Sequence, residues 1–162
     1  MKEREREREH NTGDGTSVAI EQHIDAPSKD VAAYIGDFSN AKEWMVGVES
    51  VERLDEDSYR LLLESPVGKL EPEAKILEHR DDAIRWVYTS VIEGSGEVKV
   101  APDSSAGGVD GSSCIVSYTS DFRLRSKMLN RAARFVGVEH FARKNGERSL
   151  LRLKHLMEAR RY

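Results

Sequence analysis

The residue types that could do chemistry in this chain are five histidines, one cysteine and a small set of tyrosines and serines. The histidines are His10, His23, His79, His140 and His155. No two stand at HxH or HExxH spacing, which brings two imidazoles to one metal, so no metal site is expected. Cys114 has no cysteine partner for a disulfide. It alternates with apolar residues and reads as an inert buried thiol rather than a nucleophile. Ala106-Gly107-Gly108-Val109-Asp110-Gly111 is glycine-rich but lacks the Lys-Ser/Thr ending of a phosphate loop. No G-x-S-x-G elbow is present. Gln22, Tyr88, Ser90, Tyr118 and His140 are the polar groups that could face an interior and act on a buried substrate as acid or base. No Asp or Glu falls at a clearly inward position, and no cofactor is expected.

The elements that must position these groups follow from periodicity. Val18, Ile20, Gln22 and Ile24 alternate with Ala19, Glu21 and His23, which predicts a half-buried strand. Ser28 then suits an N-cap, and Val31, Tyr34, Ile35 and Phe38 make a helical stripe. Asn40 with Glu43 resembles a capping box for a second short helix carrying Trp44 and Met45 and ending at Gly47. Strands are predicted over 48–54, 58–64, 69–78, 83–92, 97–100 and 114–124, with Pro72 at an edge or bulge of the third. Residues 102–113 read as a loop. Short links favour an antiparallel meander. Leu129, Ala132, Ala133 and Val136, then Leu150, Leu153 and Met157, predict a long C-terminal helix, with Gly137 and Asn145-Gly146 as points of kinking or division.

A bent antiparallel sheet crossed by one long helix leaves an apolar space unless large side chains fill it. Concave apolar sites with a few polar groups are the usual shape for small-molecule binding. The candidate ligand-binding residues are Trp44, Leu61, Leu63, Ile76, Trp86, Tyr88, Val116, Tyr118, Phe122, Leu129 and Val136. The competing reading is that they pack against one another as a dry core.

Ile24-Asp25-Ala26-Pro27-Ser28-Lys29-Asp30-Val31, with Tyr34 and Asp37, resembles the opening I-x-A-P-x-x-x-V block of the START-like superfamily. This superfamily is also called SRPBCC, the polyketide cyclase/dehydrase and lipid-transport group. Trp44 to Val51 is similar to its next block, with Val46 where proline is common, and Ser113 to Tyr118 to its late strand. Pro66-Val67-Gly68 and Glu93-Gly94-Ser95-Gly96 faintly resemble the branch of the superfamily associated with carbon monoxide dehydrogenase. The resemblance implies an α+β helix-grip (START/Bet v 1-like) fold. That fold has a curved antiparallel sheet of about six or seven strands around a long C-terminal helix, with two short helices after the first strand. It also implies a hydrophobic cavity for lipids, quinones or polyketides, and in some members an enzyme.

The length, 162 residues, suits one domain. Residues 1–16 read as a mobile charged tail and 17–162 as a single START-like ligand-binding domain. The N-terminal segment has no apolar signal core, and no stretch approaches the roughly 20 apolar residues of a membrane span, which points to the cytoplasm. The net charge of −4 is uneven. Residues 1–122 hold 13 Lys and Arg against 26 Asp and Glu, a net of −13; residues 123–162 hold 12 against three, a net of +9. A basic C-terminal helix either lies on the acidic body or meets an anionic surface such as lipid or RNA. The leading expectation is binding or transport of a small hydrophobic molecule. The alternatives are a cyclase or dehydratase using cavity polar residues and an interaction module using the basic helix.

Overall fold

The alternation at the start of the chain produces β1 (Thr16–Ile24), with Val18 and Ile24 buried and Ala19 turned out. It begins at Thr16, the last residue assigned above to the tail. The computed structural model describes residues 15–103 and 112–160. Residues 1–14, most of the expected tail, and 104–111, most of the expected loop, lie outside the described residues.

The helical stripe forms α1 (Ser28–Gly36), burying Val31, Tyr34 and Ile35. Pro27, not Ser28, holds the N-cap position, and its carbonyl accepts from Asp30 N at 3.0 Å and Val31 N at 3.2 Å. A 3-10 turn (Phe38–Asn40), capped by Asp37 through Ser39 N, leads into α2 (Ala41–Trp44). The expected capping box does not form. Asn40 Nδ2 donates to Tyr34 O at 2.9 Å, and the Tyr34 hydroxyl donates to Glu43 Oε2 at 2.6 Å. Both residues therefore tie the two short helices together instead of capping one.

The remaining strands are β2 (Val48–Arg53), β3 (Ser58–Ser65), β4 (Gly68–Leu70), β5 (Glu73–Arg80), β6 (Ala83–Tyr88), β7 (Ile92–Pro102) and β8 (Cys114–Leu124). They form one antiparallel sheet in the order β1-β8-β7-β6-β5-β3-β2, with β4 paired to β3. Two expected strands are redrawn. The third divides at Pro72, which has no N–H for a ladder; its carbonyl accepts from Leu61 N at 2.9 Å. The fourth ends at Tyr88, and Ile92 opens β7 after Val91, whose φ is 66°.

β7 is longer than its sequence suggests because its glycines are packing residues. A Cβ on Gly94 (φ +137°) would stand 1.9 Å from the Asp121 carbonyl oxygen, and one on Gly96 would stand 2.3 Å from the Trp86 ring. The strand thus runs through Glu93-Gly94-Ser95-Gly96 against β8 and lets Trp86 lie flat across it.

After β8 the chain forms α3 (Lys127–Phe135), where Ser126 Oγ accepts from Leu129 N, and then α4 (Val138–Ala159). The division falls at Gly137, in the left-handed region at φ +83°. Asn145-Gly146 does not break α4. Gly146 instead allows close approach, since a Cβ there would stand 2.5 Å from Ile20 Cδ1 on β1. Among the described residues, no helix is long and apolar enough to cross a membrane.

The space enclosed by sheet and α4 is unequal along its length. At one end Phe38 meets Tyr59 at 5.0 Å and Trp86 at 5.4 Å between ring centroids, and Leu150, Leu153 and Met157 of α4 complete a dense core. The other end is held by a much smaller cluster of Ile92, Leu124, Ala133 and Val138.

Candidate ligand cavity

Between these two cores lies a cavity of about 140 Å³. Trp44 and Met45 close it from α2. Leu63 to Val67 and Leu70 form the β3–β4 wall, Tyr88 and Ile92 come from β6 and β7, and Tyr118, Ser120, Phe122 and Leu124 from β8. The helical wall is Ala133 of α3 with Val138, Phe141, Ala142, Asn145, Gly146 and Ser149 of α4.

α4 explains why the hollow is there. Toward its N-terminus the inward positions are Val138 and Phe141, followed by the small or polar Ala142, Asn145, Gly146 and Ser149. Along its second half they are Leu150, Leu153 and Met157, all buried. One helix therefore plugs one end of the curved sheet and leaves the other open. Ser149 also fixes the near wall: its Oγ accepts from Val46 N at 2.8 Å and donates to Asn145 O at 2.6 Å.

The expected ligand-binding residues divide into three groups. Trp44, Leu63, Tyr88, Tyr118 and Phe122 line the cavity. Leu61, Trp86 and Val116 are buried in the dense core, with Ile76 packed against it. Leu129 and Val136 are 38% and 54% exposed, which corrects their inward assignment. The reason is the rotation of α3. Asn130 and Ala133 take its buried face, and the Asn130 side-chain oxygen accepts from Leu124 N at 3.1 Å, holding that face inward. Phe141, Ala142 and Asn145 were missed. The available signal was Val138, Ala142, Asn145 and Ser149 at i, i+4, i+7 and i+11, a helical face of modest side chains.

On the sheet wall, Tyr88, Tyr118 and Ser120 are polar groups facing the hollow, with Glu64 and Ser65 from the β3–β4 side and Asn145 and Ser149 from α4. Burial pushes the Tyr118 phenol well above the usual tyrosine range; neighbouring Tyr88 adds to the rise, and a hydrogen bond with Ser120 opposes it. Burial likewise raises Tyr88. Both are neutral phenols near neutral pH, suited to orient a carbonyl or hydroxyl rather than to abstract a proton. The Trp86 indole N–H is buried without a hydrogen bond of good geometry; its proximity to Tyr88 opposes the effect of burial on that phenol, which remains the larger. At the rim, a hydrogen bond to Glu49 raises the Glu64 carboxyl, while Lys69, 3.1 Å from Glu49, lowers Glu49. Among the described residues, no group of His, Cys, Asp and Glu could hold a metal ion.

Size constrains what the cavity can take. A closed apolar cavity of about 150 Å³ admits a benzene-sized guest, whereas drug-sized ligands occupy roughly 300–1,000 Å³. A single ring burying roughly 200 Å² gains about 5 kcal/mol, equivalent to a Kd of a few hundred micromolar before any ordering cost. Tighter binding requires a molecule that continues past the ring-sized hollow, and the wall reaches the surface at exposed Glu64.

A curved antiparallel sheet gripping a C-terminal helix around an apolar hollow is the START-like helix-grip fold. The chain belongs to the polyketide cyclase/dehydrase and lipid transport family, whose model matches residues 15–158. No match was found among curated proteins. Solved structures share the fold. Zhui aromatase/cyclase from Streptomyces sp. R1128 aligns with a TM-score of 0.71 at 18% identity, covering 91% of this chain and 96% of that one. The protein TTHA0849 from Thermus thermophilus gives 0.69 at 19% identity, over 88% and 97%. A START superfamily protein from Mycobacterium smegmatis gives 0.58 at 11% identity, over 83% and 98%.

Proposed function

We propose that the protein is a non-enzymatic binder or carrier of a small apolar molecule. One end of the guest, about the size of a single ring, sits between Leu63, Phe122 and Phe141, and a polar atom faces Tyr88, Tyr118 and Ser120. The observation that supports this reading is the apolar hollow between the sheet and α4, where Ala142, Asn145, Gly146 and Ser149 leave room beside Val138 and Phe141. Burial of apolar surface supplies the driving force. The raised phenols are disfavoured as bases, and the sheet wall around them is mostly apolar, so a carrier is preferred here to a cyclase or dehydratase. Lipids, quinones and polyketide-like molecules share the required chemistry.

Native mass spectrometry of the full chain, purified without detergent and then offered a short-chain quinone or palmitate, tests the proposal. A stoichiometric adduct that Ala142→Trp abolishes is expected. Protein that stays unliganded with both, or an adduct indifferent to the substitution, contradicts it.

A further inference from the structure

The outer face of α3 is apolar where a water-facing helix is normally polar. Met128 is 80% exposed and Phe135 92% exposed, and they stand seven residues apart on one face, with Val136 beside them. The opposite face buries only Asn130 and Ala133. Along the flank run Lys127, Arg131 and Arg134. From Arg123 to Val138 there are five basic residues and no acid. Arg123, Arg125, Lys127, Arg131 and Arg134 also border an open groove of about 630 Å³ that ends at Phe135. Its acid, Glu93, is bonded to Arg123 at 2.6 Å.

We propose that α3 is a docking helix for the surface of an anionic phospholipid bilayer. Met128, Phe135 and Val136 enter the headgroup–acyl boundary while the basic groove receives lipid phosphates. An apolar face edged by Lys and Arg is the pattern of a helix lying in that interface. Charge selects the occupant. Two copies of this face would bring one net-positive groove against another, with Glu93 the acid in each. Nucleic acid would supply phosphates but no apolar phase for Met128 and Val136. The rest of the chain outside residues 123–138 carries a net −9, with −13 in residues 1–122 and +4 in residues 139–162, so an anionic surface repels the acidic body and favours the basic C-terminal side that carries α3. The inner side of the same helix contributes Ala133 to the cavity wall. Docking thus sets the hollow beside the lipid, and its use for delivery rests on the carrier reading above, while docking itself does not.

The test is flotation of the full chain with phosphatidylcholine vesicles, with and without about one third phosphatidylglycerol. Binding of 1-aminoanthracene in solution is read separately. Partition onto the anionic vesicles should exceed that onto neutral ones by about ten-fold or more, at about 1 kcal/mol per basic residue near the surface. The double variants Met128→Ser/Phe135→Ser and Lys127→Glu/Arg131→Glu should each lose about ten-fold or more of that binding. Their melting temperatures and probe binding should stay unchanged, since all four side chains lie outside the cavity wall. Equal binding to neutral vesicles, or variants that float like the parent, overturns the proposal. So does a dilution-sensitive dimer that Phe135→Ser dissolves, or capture of an RNA oligonucleotide that both parent and Met128→Ser/Phe135→Ser share. Loss of probe binding with vesicle binding intact would strike the carrier reading alone.

Discussion

Cys114 opens β8 with no exposed surface, and burial raises its thiol to about 11 from an ordinary value of 9.0, with Asp103 adding to the rise. The folded state therefore holds this proton more tightly than the unfolded chain does. Its contribution to stability is complete below pH about 9 and is lost as pH rises toward about 11, amounting to about 2 to 3 kcal/mol. Urea titrations across that range should show an alkaline decline that begins at higher pH in Cys114→Ala, whose remaining decline comes from the tyrosines. In native buffer the thiol should resist a disulfide reagent and react on unfolding. Gly96 makes the same point in steric terms. Alanine there drives a methyl into the Trp86 ring, and overpacking of this kind costs about 1–3 kcal/mol. A lowered urea midpoint with an unchanged slope is the expected result; an unshifted midpoint would mean that β7 and the indole do not press together.

At the scale of elements, α4 does two jobs, and Ser149 marks the boundary between them. Ser149→Ala leaves Val46 N–H without its partner at the turn that carries Trp44 and Met45, at a cost of about 1–3 kcal/mol. The measurement is chemical denaturation together with probe affinity, and both should fall. Most of the element order was legible, because a period of two marks strands and a period near 3.6 marks helices. The errors arose where another force overrode the pattern. Pro72, expected at an edge or bulge, divides the third run into two strands, and Gly94 and Gly96 belong to a strand because a neighbouring backbone and an indole need their missing side chains. On α3, Leu129 and Val136 are the more apolar residues, yet Asn130 turns inward because a backbone N–H at Leu124 needs an acceptor. A polar requirement set the rotation, and hydrophobicity alone could not reveal it.

Over the whole molecule, the sequence pointed to an enclosed sheet and helix but not to how the interior is divided. Leu61, Trp86 and Val116 alternate on strands just as Leu63, Tyr88 and Phe122 do. The first three pack solidly and the others line a hollow, because what faces them across the interior differs: Leu150, Leu153 and Met157 at one end, Ala142, Asn145 and Ser149 at the other. That division is a relation between distant segments, which periodicity within one segment does not carry. It also separates stability from binding. Substitutions at the dense end should lower the melting temperature, as Leu153→Ala should by removing about 2–5 kcal/mol of stability. Ala142→Trp should suppress ligand binding with a smaller thermal effect.

A crystal of the protein equilibrated with pressurised xenon tests the hollow directly, since xenon enters apolar cavities of this size without needing a specific ligand. The account predicts a xenon peak bounded by Leu63, Tyr88, Phe122 and Phe141. Density showing those side chains in mutual contact, with no xenon between them, would contradict it.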